Sequence, residues 1–548
     1  MWEANPDQIQ FAPHALRVTV DEFGGDTLRR LKESGPRPSQ FGYPIHAHDS
    51  IIQATGLLAN SQLAHTGLRM TIDTATRALD VDLLARELGN WRTSSRSGPA
   101  YQGLADGIRM LIIDGRLPVG ARLPSERALA DALRVSRTTV TAAYTQLRDD
   151  GYLNARRGAR STTALPVAPA AAPATIPARV NLAHAALCAP AAVREAFIEA
   201  THQMTPYLHD IGIELTGLAP LREAIAQRYC ARGLPTEPDE VMITTGALHA
   251  ICLILATYIQ PGDRVLVEQP TYHGVLSAIT AAGARPVPVA MTHDGWELDA
   301  VHTAIRQLSP SLAYLIPDNQ NPTGLTMSAA DRKYLAHIIS DSRTRAIIDE
   351  TMTDVWLDEP VPPPMAAAMA ARRDLVLTVG SMSKSFWGGL RIGWIRAERS
   401  ALASIAAVRP SIDMGTPIVE QLAAARLLDK PDEVLPERRE ILQARRALLT
   451  SLLHQHIPDF QPGPGGGGMA LWVQLPSPMS SALSAAASRL GLDLPSGPRF
   501  GVDGSLERFV RIPYTLPEDQ LVEAVELLAR AWRAVTGTTA PQPGAVLV

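Results

Sequence analysis

A single lysine set at the end of an apolar run constrains this chain more than any other feature. Leu375-Val376-Leu377-Thr378-Val379-Gly380 predicts a buried strand, and Ser381-Met382-Ser383-Lys384-Ser385-Phe386-Trp387-Gly388-Gly389-Leu390-Arg391 follows at once. A lysine held there, among hydroxyls and glycines, can form a Schiff base with a carbonyl cofactor. Ser381, Ser383 and Arg391 can hold a phosphate, because hydroxyls and a forked guanidinium suit its oxygens. A solvated loop lysine would need no company. A lysine with this role needs partners, and they have to come from the ends of other strands.

Such partners occur in order upstream. Val241–Thr244 passes through Thr245-Gly246 into a helical stretch that starts at Ala247. A strand turning through glycine into a helix offers N–H groups to a phosphate, although tight strand–helix packing accounts for one glycine equally well. Arg264–Glu268 leads to Tyr272, which can stack on a flat ring or pack in the core. Leu312–Pro317 leads to Asn321-Pro322-Thr323-Gly324, a turn whose asparagine can also bond a phenolic oxygen. Ala346–Ile348 ends in Asp349, where a carboxylate can pair with a protonated ring nitrogen. Further on, Gly463–Gly468 reads as a turn into the strand Met469–Val473, since no Lys-Ser/Thr pair follows it. Phe509-Val510-Arg511-Ile512 carries one more arginine, and 517–535 predicts a closing amphipathic helix.

Taken together, residues 179–545 resemble the aminotransferase class I/II branch of the fold-type I pyridoxal 5'-phosphate (PLP) enzymes. The resemblance implies a large α/β domain with a mixed, mostly parallel sheet plus a smaller α+β domain. It implies Lys384 as the Schiff-base lysine and Asp349 as partner of the ring nitrogen. Asn321 would bond the ring oxygen and Tyr272 would stack on the ring. Gly246, Ala247, Ser381, Ser383 and Arg391 would hold the phosphate, and Arg511 would receive the carboxylate of an effector. Two positions depart from the pattern. Met352 stands where a tyrosine often follows the aspartate by three residues, and Ile213-Glu214-Leu215 stands where a tyrosine reaching a second subunit is expected. Losing such groups weakens tuned proton transfer more than cofactor binding, which favours sensing over turnover.

The N-terminal part has a different composition. Residues 98–163 hold ten arginines, no lysine and six acidic residues, a balance of +4, whereas the whole chain of 548 residues carries −4. Leu104, Ile108, Leu111 and Ile112 recur at helical spacing. Ser125 predicts the N-cap of a short helix, and Ser136 caps a second from Arg137 to about Arg148, with Val140, Tyr144 and Leu147 inward. Arg156-Arg157-Gly158-Ala159-Arg160 reads as a basic hairpin able to touch phosphates or the minor groove. The segments Arg122-Leu123-Pro124-Ser125-Glu126-Arg127, Val135-Ser136-Arg137-Thr138-Thr139-Val140 and Gly151-Tyr152-Leu153 resemble the GntR-type winged helix-turn-helix. By that resemblance the candidate DNA contacts are Arg122, Ser125, Arg127, Ser136, Arg137, Thr138, Thr139 and Arg157. The alternative, a helical protein–protein module with a solvated basic face, lacks a reason for the caps and the hairpin. The winged module with its preceding helix is expected over 70–163. Residues 164–178, rich in Pro and Ala and free of charge, predict a semi-stiff linker. Residues 1–69 are expected to be either a disordered arm or an extension from an upstream start codon.

A GntR-type head joined by a linker to an aminotransferase-like domain resembles the MocR family of bacterial transcriptional regulators. The resemblance implies an α/β protein with an α+β head, double-stranded operator DNA and a small amino compound as partners, and a homodimer. The expected function is a regulator in which an amino compound, or PLP itself, bound at Lys384 alters operator binding. The alternative is a working PLP-dependent aminotransferase with an accessory DNA-binding module. Cys188, Cys230 and Cys252 have no metal-like spacing and no metal is expected. No apolar run reaches membrane-span length and no secretory pattern is visible at the N-terminus, so the expected setting is cytoplasmic, at the nucleoid when DNA-bound.

Overall fold

The computed structural model describes residues 79–89, 91, 99–113, 116–154, 161–164, 180–502 and 504–537. The expected N-terminal arm (1–69) and nearly all of the expected linker lie outside these ranges. Ala164, placed at the linker's start by its composition, is buried and donates its N–H to Tyr152 O at 2.8 Å, closing the wing.

The head contains α1 (Val81–Leu88), α2 (Ala100–Ile113), α3 (Glu126–Leu133) and α4 (Arg137–Asp149), followed by a short wing of β1 (Leu153–Asn154) and β2 (Thr162–Thr163), paired antiparallel. Ser125 Oγ accepts from Ala128 N and Ser136 Oγ from Thr139 N, so each helix starts where a hydroxyl satisfies an orphan donor. Between α3 and α4, Arg134 takes a left-handed conformation with φ 54°, and Val135 N returns to Ala130 O at 3.0 Å, making the tight helix–turn–helix corner. Leu84, Leu104, Ile108, Leu123, Leu129, Val140, Tyr144 and Leu147 form the core, all within 2% of complete burial. Leu133 is only half-buried at the rim of that core.

The large lobe begins after β3 (Val180–Asn181) and holds α5 (Ala191–His202), α6 (Ala219–Ala231), β4 (Val241–Thr244), α7 (Ala247–Tyr258), β5 (Arg264–Gln269), α8 (His273–Ala281) and β6 (Arg285–Ala290). It continues with α9 (Leu298–Leu308), β7 (Leu312–Leu315), α10 (Ala329–Ser342), β8 (Arg345–Asp349), β9 (Val376–Ser381), β10 (Gly393–Arg396), α11 (Arg399–Val408) and α12 (Ile418–Asp429). Its seven strands run in the order β4-β10-β9-β8-β7-β5-β6. Every pairing from β9 to β6 is parallel, and β10 alone runs antiparallel to both neighbours. Strands β4, β7, β8 and β9 are buried on both faces, which explains why their sequences read as continuous apolar runs rather than alternations. In such a sheet the carboxyl ends of the parallel strands share one edge, where open α/β folds place ligands.

The small lobe comprises α13 (Leu435–His456), β11 (Gln461–Pro462), β12 (Ala470–Gln474), α14 (Ser480–Arg489), β13 (Leu492–Asp493), β14 (Phe509–Pro513) and α15 (Glu518–Thr536). β11, β12 and β14 form an antiparallel sheet, and β13 pairs parallel with β3. A separate core, including Leu442, Leu453, Val473, Leu483, Ile512, Leu528 and Trp532, holds this lobe together. The expected glycine-rich turn feeds β12 as anticipated, and Gly467 lies so close to Asn319 Oδ1 that an added Cβ would clash with it.

Candidate cofactor and effector cavity

A cavity of about 360 Å3 opens at the carboxyl edge of the large sheet, roofed by the small lobe. Its wall includes Ala247, Tyr272, Asn321, Asp349, Ser381, Ser383, Lys384, Arg391 and Arg511. Gly246 abuts it, because its positive φ of 94° turns β4 into α7 and a Cβ there would come within 2.7 Å of Arg391 Nη2. All ten cofactor and effector residues expected from the sequence are thus brought to one place, from five strand ends and the small lobe.

Lys384 follows β9 by three residues and points its Nζ to Ala185 O at 2.8 Å. Burial, with Arg511 nearby, lowers its pKa from 10.5 to about 8, against a smaller opposing pull from Asp349. At neutral pH this enlarges the free-amine fraction by more than a hundredfold over an exposed lysine, roughly 10 per pH unit. Asp349 closes β8 completely buried. Its Oδ2 accepts from Tyr314 Oη at 2.6 Å and its Oδ1 from Thr351 N at 2.8 Å. Desolvation raises its pKa, and the hydrogen bonds from Thr351 and Tyr314 work against that rise. Ser381 Oγ donates to Ile392 O at 3.1 Å and accepts from Ser383 N at 3.1 Å, which folds the serine turn. Arg391, left-handed at φ 52°, reaches back to Thr245 O at 3.1 Å and lies across the amino end of α7.

Arg511 rises from β14 of the small lobe. Its Nη2 donates to Ala183 O at 2.5 Å, its guanidinium lies 4.9 Å over the Phe500 ring, and its Nε is buried without a partner. Burial and then Arg499 press its pKa down to about 10. A desolvated guanidinium with unused N–H capacity is suited to an anion. His273, half-buried beside Tyr272, also has a partnerless Nδ1, and burial first, then Arg499 and Arg511, lowers its pKa to about 3, so the ring is neutral. The cavity therefore combines an amine of lowered basicity, a buried acid, a phosphate-sized cradle and an anion-seeking arginine. That donor set fits PLP.

Sequence reasoning missed three parts of this site. Tyr314 lies in an apolar strand and resembles any core residue; only the register of β7 against β8 brings it beside Asp349. Glu268, pushed up to about 7 by burial, accepts from Trp296 Nε1, Ile316 N and Gln320 Nε2, and so ties the Tyr272 loop to the Asn321 turn. The strap Ala183–Ala186 has no chemical side chain apart from His184, yet its carbonyls receive both Lys384 and Arg511. Met352 does line the cavity, with its side chain buried where the resemblance expects a tyrosine.

In the head, Arg122, Arg127, Arg137 and Thr138 are exposed, on the approach to α3 and the first turns of α3 and α4. Ser125 and Ser136 are exposed too but use their hydroxyls in capping, and Thr139 is half-buried with its Oγ1 2.7 Å from Ser136 Oγ. Arg137 is held loosely, 3.8 Å from Glu126. Arg157 lies outside the described residues. Among the described residues no cluster of His, Cys, Asp or Glu could hold a metal ion, and no helix is long and apolar enough to cross a membrane.

Comparison with known proteins adds two matches. Residues 181–528 fit the family described as aminotransferase class I and II, and residues 100–162 fit the bacterial regulatory proteins of the gntR family. The uncharacterized HTH-type transcriptional regulator YdcR of Escherichia coli is 29% identical over 446 residues, covering 75% of this chain and 94% of its own length. The 2-aminoadipate transaminase of Thermus thermophilus is 29% identical over 325 residues, 58% of this chain and 80% of its own. Among solved structures, that of the α-aminoadipate aminotransferase LysN, also from Thermus thermophilus and complexed with N-(5'-phosphopyridoxyl)-L-leucine, superposes with a TM-score of 0.60 at 26% identity, covering 65% of this chain and 93% of that one.

Proposed function

This chain belongs to the aminotransferase class I and II family and carries a GntR-type head in the MocR arrangement; on that premise we propose that it is a DNA-binding regulator whose operator affinity responds to an amino compound, or to PLP itself, at Lys384. The observation that carries this reading is the union in one chain of a recognition helix that exposes Arg137 and Thr138 with a cavity able to hold PLP. When bound, PLP supplies an aldehyde that condenses reversibly with primary amines. Lys384 offers the resident amine, partly unprotonated near neutral pH. Asp349 presents a buried negative charge to the ring nitrogen, Asn321 a donor to the ring oxygen, and Tyr272 a flat face. The amino end of α7 at Gly246 and Ala247, with Ser381, Ser383 and Arg391, cradles the phosphate. Arg511 orients the carboxylate of an incoming amine. An effector acts only by the difference in its affinity for two arrangements of the lobes and head.

A homodimer is part of the proposal. Leu208, Ile211, Ile213, Ile412 and Met414 are 69%, 81%, 41%, 46% and 53% exposed, on loops that touch where the backbone of Gly415 packs on Glu214. Apolar side chains exposed together mark a contact surface, and a second copy is the partner the fold offers. A cytoplasmic setting, at the nucleoid when DNA-bound, belongs to the same reading.

A working aminotransferase is the second reading, favoured by the joint presence of Lys384, Asp349 and Arg511 in the cavity. Binding to a duplex drawn from upstream of the protein's own gene separates the two. Arg137→Ala is expected to weaken that binding about tenfold, or ~1–3 kcal/mol if the side chain reads a base. If it meets a phosphate instead, the salt slope falls by about one. Unchanged binding in Arg137→Ala, or absence of duplex binding alongside sustained turnover of amino-acid and keto-acid pairs, would reverse the ranking.

A further inference from the structure

We propose that α14 of the small lobe grips the recognition helix α4 through a chain of four charges, Arg489–Asp106–Arg109–Asp150, and so links the cavity to the DNA-reading surface. Arg489 ends α14, and its Nη1 donates to Asp106 Oδ2 at 3.0 Å. Asp106, on α2, receives Arg109 Nη1 on its other oxygen at 2.5 Å. Arg109 Nη2 then donates to Asp150 Oδ2 at 2.6 Å, and Asp150 is the C-cap residue of α4. Each interior member makes two ionic hydrogen bonds, and Asp106 is only 15% exposed. The arrangement is therefore a network rather than an isolated surface pair. It joins the small lobe to the head where, among the described residues, α14 and α2 share no backbone hydrogen bond.

The opposite end of α14 is held as well. Glu507 Oε2 accepts from Ser481 N at 2.9 Å and its Oε1 from Ser481 Oγ at 2.6 Å, so it caps the helix. Glu507 shares a small crevice with Arg116 of the head, which is itself paired with Glu87. Between the two ends, Ala482 and Ala485 face Gly107 and Met110 across the same crevice, and their small size lets the helices approach.

α14 is also tied to the cavity. Ser480 Oγ accepts from Gly497 N at 2.7 Å, and three residues on, Phe500 lies under the Arg511 guanidinium. From the other end α14 runs into β13, whose partner β3 leads to the strap that receives Arg511 and Lys384. A group filling the cavity that displaces Phe500 therefore acts on one attachment of α14, one that displaces the strap acts on the other, and either bears on Asp106 and the cap of α4.

That this grip matters to DNA rests on the regulator reading; the grip itself does not, and its test uses neither DNA nor ligand. Hydrogen exchange is followed by mass spectrometry on the full-length protein. Arg489→Glu is expected to speed exchange about threefold in 100–113 and 146–150, the scale of an exposed ion pair. Arg489→Lys, which keeps the charge, should stay near wild type. Arg306→Glu, an equal charge change at an exposed position on α9 of the large lobe, should leave both segments alone. Unchanged exchange at 146–150 in Arg489→Glu, or the same acceleration in Arg306→Glu, would overturn the grip while leaving the regulator reading standing. A protein that shows the expected exchange but binds no duplex would leave the grip standing and overturn that reading instead.

Discussion

Lys384→Ala is expected to abolish covalent capture of PLP by borohydride reduction, read as loss of the cofactor's mass on the intact protein. Lys384 is the amine that lines the cavity, between the buried Asp349 and the anion-seeking Arg511. Its low pKa, set by burial and by Arg511, also gives the wild type a pH signature. Capture should be strong above about pH 8 and fall as the amine protonates below that value. An exposed lysine would lose capture from about pH 10 downward. Retained capture in Lys384→Ala, on any other lysine, would place the chemistry elsewhere.

The second large effect is expected at Asp349. Asp349→Asn should weaken PLP binding about 10–100-fold, corresponding to loss of a hydrogen bond between charged groups in a buried site, ~1.5–3 kcal/mol. The pH dependence follows from burial. Asp349 has its pKa raised in the folded protein, so its buried charge costs stability when the cavity is empty. Its contribution to folding is present in full below the unfolded carboxylate pKa and is lost as pH rises through the folded value. A ring cation reverses this by stabilising the charge. PLP affinity of the wild type should then fall as pH drops through the raised value, and Asp349→Asn should lack that step. Fluorescence titration of PLP from the acid range to neutrality reads both effects. Equal affinities for the two proteins, or a shared acid limb, would remove Asp349 from the ring-nitrogen role.

Much of this is legible in the sequence because the chemistry lies where periodicity breaks. Strands buried on both faces give uninterrupted apolar runs, and the first polar residue after each run falls on the ligand-bearing edge. Asp349 and Ser381 are found this way, with Lys384 and Asn321 following within four residues of their runs, and the caps Ser125 and Ser136 mark the head's helices by the same local logic. What stays hidden depends on register and on contacts distant in sequence. Tyr314 reads as an ordinary core residue of an apolar strand until β7 is set beside β8. The strap acts through backbone carbonyls, which every residue has. Arg489 and Asp106 are 383 positions apart, and each alone is an ordinary charged residue on a helix. Thr139 groups in sequence with Thr138, and both hydroxyls turn toward Ser136 Oγ, yet only Thr138 is exposed while Thr139 is half-buried.

Occupancy at Lys384 is expected to be felt by the recognition helix. This is tested most directly by measuring the affinity of the PLP-loaded protein for its own upstream duplex, with and without a panel of amino acids, in wild type beside Lys384→Ala. At least one amine is expected to shift wild-type affinity by about 5–150-fold, the usual range of coupling between sites, with no such shift in Lys384→Ala. A shift of equal size in Lys384→Ala, or duplex binding in the wild type that no amine and no change in PLP alters, would contradict it.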